Sequence, residues 1–381
     1  MQLNKRQTVG WITLLMGAGS WYGTASAGTL LVCPTCNHTT IQSAVNDAAD
    51  NDIIKISAGR YSENITISGK GLTLLGAGSV PNGETLVLAA GRGPVFTLGS
   101  GTAGDANHLI ILDGMVISGG NHNGGTGVGG GVQVRSGAYV HLLGCAVRGN
   151  YATFGGGVGI NSPGAPPSAI SGGVIADNVA PGGSGGLGHG GGVYVAQGST
   201  LGIGSATIAR NSSGGGGGIY GEQGSTLNIA TTTVTSNTTS PYSTPQGPTD
   251  GDGGGMETQG DFTISDSTFV QNSSFGTNGG GGLAIAIYDS GPHTISRSIF
   301  SHDTVALGDG TLHGSGIFAY AYTNGTYTLD HSFVVQNVAS QDDPGYAVWN
   351  ASNVTAVITN TVISDNVKGD LCNADTGGGC K

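Results

Sequence analysis

Residues 214–237 read GGGGGIYGEQGSTLNIATTTVTSN. Five consecutive glycines describe a floppy linker, yet they open directly onto Ile219, Tyr220 and a β-branched run. The same phrase recurs along the chain as GGGVQVRSG (129–137), GGGVGINS (155–162), GGGVYVAQGS (190–199), GGGMETQG (253–260), GGGLAIAI (280–287), GSGIFAYA (314–321) and GYAVWNAS (345–352). Each copy continues through a second apolar piece to a phrase ending in asparagine: Asn150, Asn178, Asn211, Asn237, Asn272, Asn337 and Asn366. One copy departs and ends on Asp303, and successive ends lie 26 to 35 residues apart.

Periods of this size indicate a solenoid. Each copy holds three short β-like runs, as in GIY, STLNIA and TTTVTS, without the 3.6-residue pattern of a helix. The expected fold is therefore all-β, a parallel β-helix of about ten coils, whose right hand is what the family resemblance given below implies. A lone coil cannot bury its apolar side, whereas a stack can. Glycine permits positive φ and close backbone approach at the corner feeding the first strand. The terminal asparagines read as a ladder in which like residues satisfy backbone groups coil after coil. Asn211, Asn237 and Asn272 also stand in N-x-S/T sequences, acceptors in a host that glycosylates.

Ahead of the repeats, Thr39 and Gln42 read as a capping box, and Ile41, Ala44, Val45, Ala48 and Ala49 form one apolar helical face. A short helix there covers the open first coil, and residues 53–57, 64–67 and 72–75 read as the first strands. This stretch, TIQSAVNDAADNDIIKISAGRYSENITI followed by GLTLLGAG, resembles the N-terminal cap and first coil of secreted pectin-lyase-like right-handed β-helix proteins. The GGG[IV]…FxxN recurrence resembles the repeats of polymorphic outer-membrane proteins. The resemblance implies the fold but no single activity, since such proteins range from polysaccharide lyases and hydrolases to adhesins. The ending GDLCNADTGGGC lacks the stretch that a membrane barrel would need.

Composition narrows the partners. Of 381 residues 75 are glycine, only 9% are charged, and the formal net charge is -11. Residues 1–27 carry Lys5 and Arg6, an apolar run over 9–16, and Ala25-Ser26-Ala27, the layout of a signal peptide. Its removal takes the charge to about -13, because the leader holds two cations and no acid. The expectation is a secreted or surface-associated chain with one domain over 28–381: cap 28–52, first coils 53–120, glycine-rich repeats 121–366 and C-terminal cap 367–381. A chain so acidic is a poor partner for nucleic acid, and no segment of the mature chain is expected to enter a membrane. Cys33 with Cys36, and Cys372 with Cys380, read as a clasp at each end, and Cys145 as a buried thiol.

Chemistry is harder to find. Gly188-His189-Gly190 matches the GHG of polygalacturonase-like hydrolases, but Asp342-Asp343 lies far downstream, and neither NTD nor RIK occurs. GxYxE, present at residues 59–63, is shared with pectin methylesterase-like enzymes, whose catalytic segments are absent, so it reads as part of the first coil. Asp250, Asp252 and Glu257 are the weak catalytic candidates. Asp250 and Asp252 are candidate oxygen ligands for Ca²⁺, the one cofactor considered. A lyase also needs a base, and Arg210 and Arg297 are about a coil away in sequence.

Strand alternation supplies a further pattern. With the apolar residue after each glycine run inward, the next points outward: Gln133, Gly159, Tyr194, Tyr220, Glu257, Ala284, Phe318 and Trp349, with Tyr320 on the same face. Four of those first eight are aromatic in a chain only 6% aromatic. Exposed in a row, such rings would form a platform for sugars. Their alternative role is mutual stacking between coils. The expected function is non-catalytic, adhesin-like binding of a polysaccharide or cell-surface glycan through Tyr194, Tyr220, Phe318, Tyr320 and Trp349. A polysaccharide lyase or hydrolase of the same fold is the alternative, and a structural envelope or matrix role is the third.

Overall fold

The reason for three glycines at each corner lies in the next coil. In the computed structural model Gly216 takes φ +59°, a left-handed turn. A Cβ on Gly217 would stand 2.4 Å from the Gly254 carbonyl oxygen, and one on Gly218 2.5 Å from that of Gly255. The first glycine bends the chain, and the other two let stacked backbones touch.

The structure describes residues 27–373, apart from 80–82, 123, 125–126, 182–187, 241, 245–246, 250–251, 276–278, 289, 306–313, 323, 340–345, 352 and 368; the side chains of 242–244, 247–249 and 372–373 are also left aside. The chain winds as a parallel β-solenoid. Among the described residues sheet 1, fed by the glycine corners, has eleven strands; sheet 2 has twelve and sheet 3 eleven. A ladder of seven two-residue strands precedes the next corner. One lap runs Ile219–Gly221 in sheet 1, Thr226–Ala230 in sheet 2, Thr233–Thr235 in sheet 3 and Thr238–Thr239 in the ladder. The next lap pairs in parallel, with Ile219 on Met256, Leu227 on Phe262 and Val234 on Phe269. All six side chains are fully buried. Each such burial stabilises by about 1.5–3 kcal/mol, so a stack can offset chain entropy where one lap cannot.

From Ser205 onward, two further corners per lap are left-handed without glycine. Arg210, Ser236, Gln271, His302 and Gln336, each preceding a ladder residue, have φ between +53° and +59°. The asparagines behind them do form the expected column. Each backbone N–H and each Nδ2 donates to Oδ1 of the next copy, as from Asn211 to Asn237 at 3.0 and 2.9 Å. Nδ2 also donates to a carbonyl one lap back, as to Ile175 at 2.9 Å. Asn211, Asn237 and Asn272 are wholly buried, which removes them as glycosylation acceptors in the folded chain. The column ends where Asn366 Nδ2 donates to Asp370 at 2.9 Å. A second column missed in the sequence runs between sheets 2 and 3: the N–H of Thr232 donates to Ser267 Oγ, Ser267 to Ser298, and Ser298 to Ser332.

Asp303 interrupts the asparagine column. Its Oδ1 accepts from Asn272 N–H at 2.8 Å and from Asn272 Nδ2 at 3.0 Å. Its Oδ2 stands where the other copies place Nδ2, and it is buried without a hydrogen-bond partner among the described residues. Burial pushes this carboxyl up to about 8. At neutral pH it is a carboxylic acid.

The N-terminal end is closed by helix α1, Ile41–Asp47, with Ile41, Ala44 and Val45 buried. The helix cap differs in detail from the expected box: Thr40, not Thr39, accepts from the N–H of Ser43. Glu63 does the rest, accepting from the N–H groups of Ile41 and Gln42 at 2.8 and 2.9 Å. That is the structural use of the GxYxE stretch. Gln42 instead accepts from the N–H of Thr66, and Ala49 is exposed. Lys70 closes the other helix end, donating to the carbonyls of Val45 and Ala48. The Cys33–Cys36 disulfide is present, and Cys145 is a buried free thiol. The expected Cys372–Cys380 pair lies outside the described side chains. Within the expected C-terminal cap, Leu371–Asn373 adds one more strand to sheet 1.

Candidate functional site

Because sheet 1 alternates, its outward positions form one line along the tube. Tyr194 lies beside Tyr220, Tyr220 beside Glu257, Glu257 beside Ala284, Ala284 beside Phe318, and Phe318 beside Trp349. The register is the expected one, but the open platform is not there. Tyr194, Tyr220 and Phe318 are each only 5% exposed, while Tyr320 and Trp349 are half-buried.

Part of what covers the tyrosines is a second column. The residue before each glycine run turns back over the sheet, pairing Val128 with Phe154, Phe154 with His189 and His189 with Gly215. Phe154 packs 5.2 Å from Tyr194, and His189 stacks 4.2 Å from Tyr220, which lies nearly parallel to Tyr194. His189, from the GHG sequence, therefore belongs to this face. Its Nδ1 is buried without a hydrogen-bond partner among the described residues, and burial lowers the ring to about 4, leaving it neutral. Farther along, Phe318 stacks on Trp349 at 5.0 Å, and Tyr320 and Tyr288 each meet Tyr322.

Of the carboxylate candidates, Asp252 and Glu257 are buried on this face, and Asp250 lies outside the described residues. Burial, then Glu257, then Asp252 push the Tyr320 hydroxyl well above its ordinary value; burial and Glu257 do so for Tyr220. Gln259 Nε2 donates to the Tyr220 hydroxyl at 2.8 Å. Among the described residues, no group of three or more His, Cys, Asp or Glu side chains is placed to hold a metal ion. Arg210 and Arg297 are not brought to this face. Each makes a bidentate pair with an aspartate one lap back, Asp177 and Asp266 respectively.

Beside Tyr194 the face opens into a cleft of about 720 Å³, lined by Val128, Phe154, Asn161, Pro163, Tyr194, Ala196, Gln197, Gly198 and Glu222. Phe154 is half-buried and is the open ring here. The Tyr194 hydroxyl donates to Glu222 Oε1, and the Gln197 N–H donates to Oε2 at 2.9 Å. Burial and this bond both raise the Tyr194 hydroxyl, which stays protonated. Phe154, Glu222, Asn161 and Gln197 were missed in the sequence; the signal for Phe154 was the recurring residue just ahead of each GGG.

Neither a scan of protein-family models nor a search of curated proteins finds a match for this chain. Among solved structures, the crystal structure of pectate lyase Pel9A aligns over 94% of this chain and 82% of its own, with 15% identity and a TM-score of 0.39. A likeness of that size says nothing about what this chain binds.

Proposed function

We propose that the protein is a non-catalytic carbohydrate-binding solenoid that acts outside the cell and takes a glycan in the cleft beside Tyr194. The cleft itself carries this reading. It sets a half-open aromatic ring, Phe154, among an amide-bearing wall, Asn161 and Gln197, and a carboxylate, Glu222. Such a mix of apolar faces and a few oriented polar groups suits a sugar, whose ring faces are apolar and whose edges are hydroxyls. Tyr194, Tyr220 and His189 serve as the packed floor that fixes Phe154. The signal-like leader supports an extracellular setting.

Isothermal titration calorimetry against a panel of soluble polysaccharides tests the reading. Phe154→Ala should weaken binding of the responding polymer about tenfold or more while the protein stays folded. Retention of full affinity in that variant, or no binding across the panel, rejects it.

The burial of Asp252 and Glu257 on one face favours a second reading, polysaccharide hydrolysis by a carboxylate pair. New reducing ends from any polymer, lost in Glu257→Gln, would establish it in place of pure binding. A lyase is less well supported, since Arg210 and Arg297 are engaged elsewhere.

A further inference from the structure

The cleft's charge extends the carbohydrate-binding reading, on which this inference rests. Among the described residues no arginine or lysine lines it, whereas Glu222 forms part of its wall. Both Glu222 oxygens accept hydrogen bonds, but from neutral donors, the Tyr194 hydroxyl and the Gln197 N–H. Those bonds orient the carboxylate without cancelling its charge. A carboxylate has about four lone-pair directions, so two remain for a ligand.

Surroundings sharpen the preference. Tyr194 is raised by burial and by Glu222 and stays a neutral donor. His189, stacked behind Phe154 at 5.8 Å, is neutral above about pH 4 and adds no positive charge. A polyuronate would bring its carboxylates against Glu222 and be repelled. A neutral sugar would leave the Glu222 charge uncompensated. A protonated amine would meet the carboxylate with the aromatic wall of Phe154 and Tyr194 beside it, the combination that favours ammonium groups.

We propose that the cleft selects a glycan bearing free amino groups, an amino-sugar chain with at least some units not acylated, and that Glu222 receives the ammonium. The sugar ring lies on Phe154, and Asn161 and Gln197 face its hydroxyls. A lysine-rich peptide shares the charge but supplies no ring to lie on Phe154, so the amino sugar is favoured.

The test is titration calorimetry of the full chain with three oligomers of equal length, glucosamine, N-acetylglucosamine and galacturonic acid, and with oligolysine as the peptide control. The glucosamine oligomer should bind at least about tenfold more tightly than its acetylated counterpart. Glu222→Gln keeps one acceptor oxygen for the Gln197 N–H and turns its amide N–H to the Tyr194 hydroxyl, which can accept it; the variant should abolish that preference while leaving the thermal transition in place. Equal affinity for the free and acetylated oligomers would overturn the amino-group assignment and leave carbohydrate binding standing. Tighter binding of the galacturonic oligomer, an unchanged preference in Glu222→Gln, or oligolysine binding as tightly as glucosamine would also overturn it. No binding of any oligosaccharide would instead count against the carbohydrate reading itself.

Discussion

Replacing Asp303 by asparagine should stabilise the protein, and by an amount that depends on pH. In the native column Oδ2 of Asp303 is buried without a partner among the described residues, and the carboxyl is raised from an ordinary 3.8 to about 8. Between those values the unfolded chain has released the proton and the folded chain has kept it. Stability therefore falls as pH rises, by about 1.4 kcal/mol per unit, and the loss is complete once pH passes the folded value. At pH 7 the accumulated cost is about 4 kcal/mol. Buried His189 acts in the opposite sense, because its ring is lowered from 6.5 to about 4. In that window the unfolded chain holds the proton and stability climbs with pH. From these two groups the wild-type protein should be nearly level from pH 4 to 6.5, then lose about 2 kcal/mol by pH 8. Asp303→Asn removes the falling component and restores an Nδ2 donor facing Asn337 Oδ1, which already accepts the N–H of residue 303 at 2.9 Å. The variant should gain stability up to pH 6.5 and stay level to 8. Urea denaturation at half-unit steps measures the difference. A gap between variant and wild type that does not widen from pH 4 to 8, or a less stable variant, would refute the reasoning.

Gly217→Ala should cost at least about 3 kcal/mol, because its Cβ would press on carbonyl oxygens of Gly254 and Thr238 at 2.4 and 2.6 Å. Gly204→Ala, whose Cβ would meet nothing within 4 Å, should be neutral or slightly stabilising in the same thermal melt. Cys145 donates to the Leu112 carbonyl at 3.3 Å, and burial raises its thiol to about 11. Wild type and Cys145→Ser should therefore take up equal amounts of a thiol reagent when native at pH 8 and differ by one equivalent when unfolded. A native difference would show that this thiol is open.

The stacking was legible in the sequence because a solenoid repeats its constraints. Glycine recurs where two backbones touch, and asparagine recurs where the column needs both a donor and an acceptor. Alternation then placed Tyr194, Tyr220, Glu257, Phe318 and Trp349 in one line. Exposure was not legible. Whether Tyr194 is open depends on Phe154, a residue 40 positions earlier in the chain, and on a backbone bend that alternation within one strand does not contain. His189 was obscured for a related reason: in a glycine-rich corner, GHG looks like chance until the lap brings the ring to Tyr220. Glu222 gave no signal, since its role rests on a hydroxyl and an N–H from the lap before.

The asparagine column has a direction. In each asparagine the backbone N–H and one Nδ2 hydrogen point toward the C-terminal end while Oδ1 points the other way, so the side-chain amide dipoles add along the tube axis, as peptide dipoles add along a helix. The positive pole falls at Asn366, and there the chain sets an anion, Asp370. The solenoid thus carries electrical polarity independent of its net charge. Any extra lap grafted at that end would have to offer an acceptor first, or leave the pole bare.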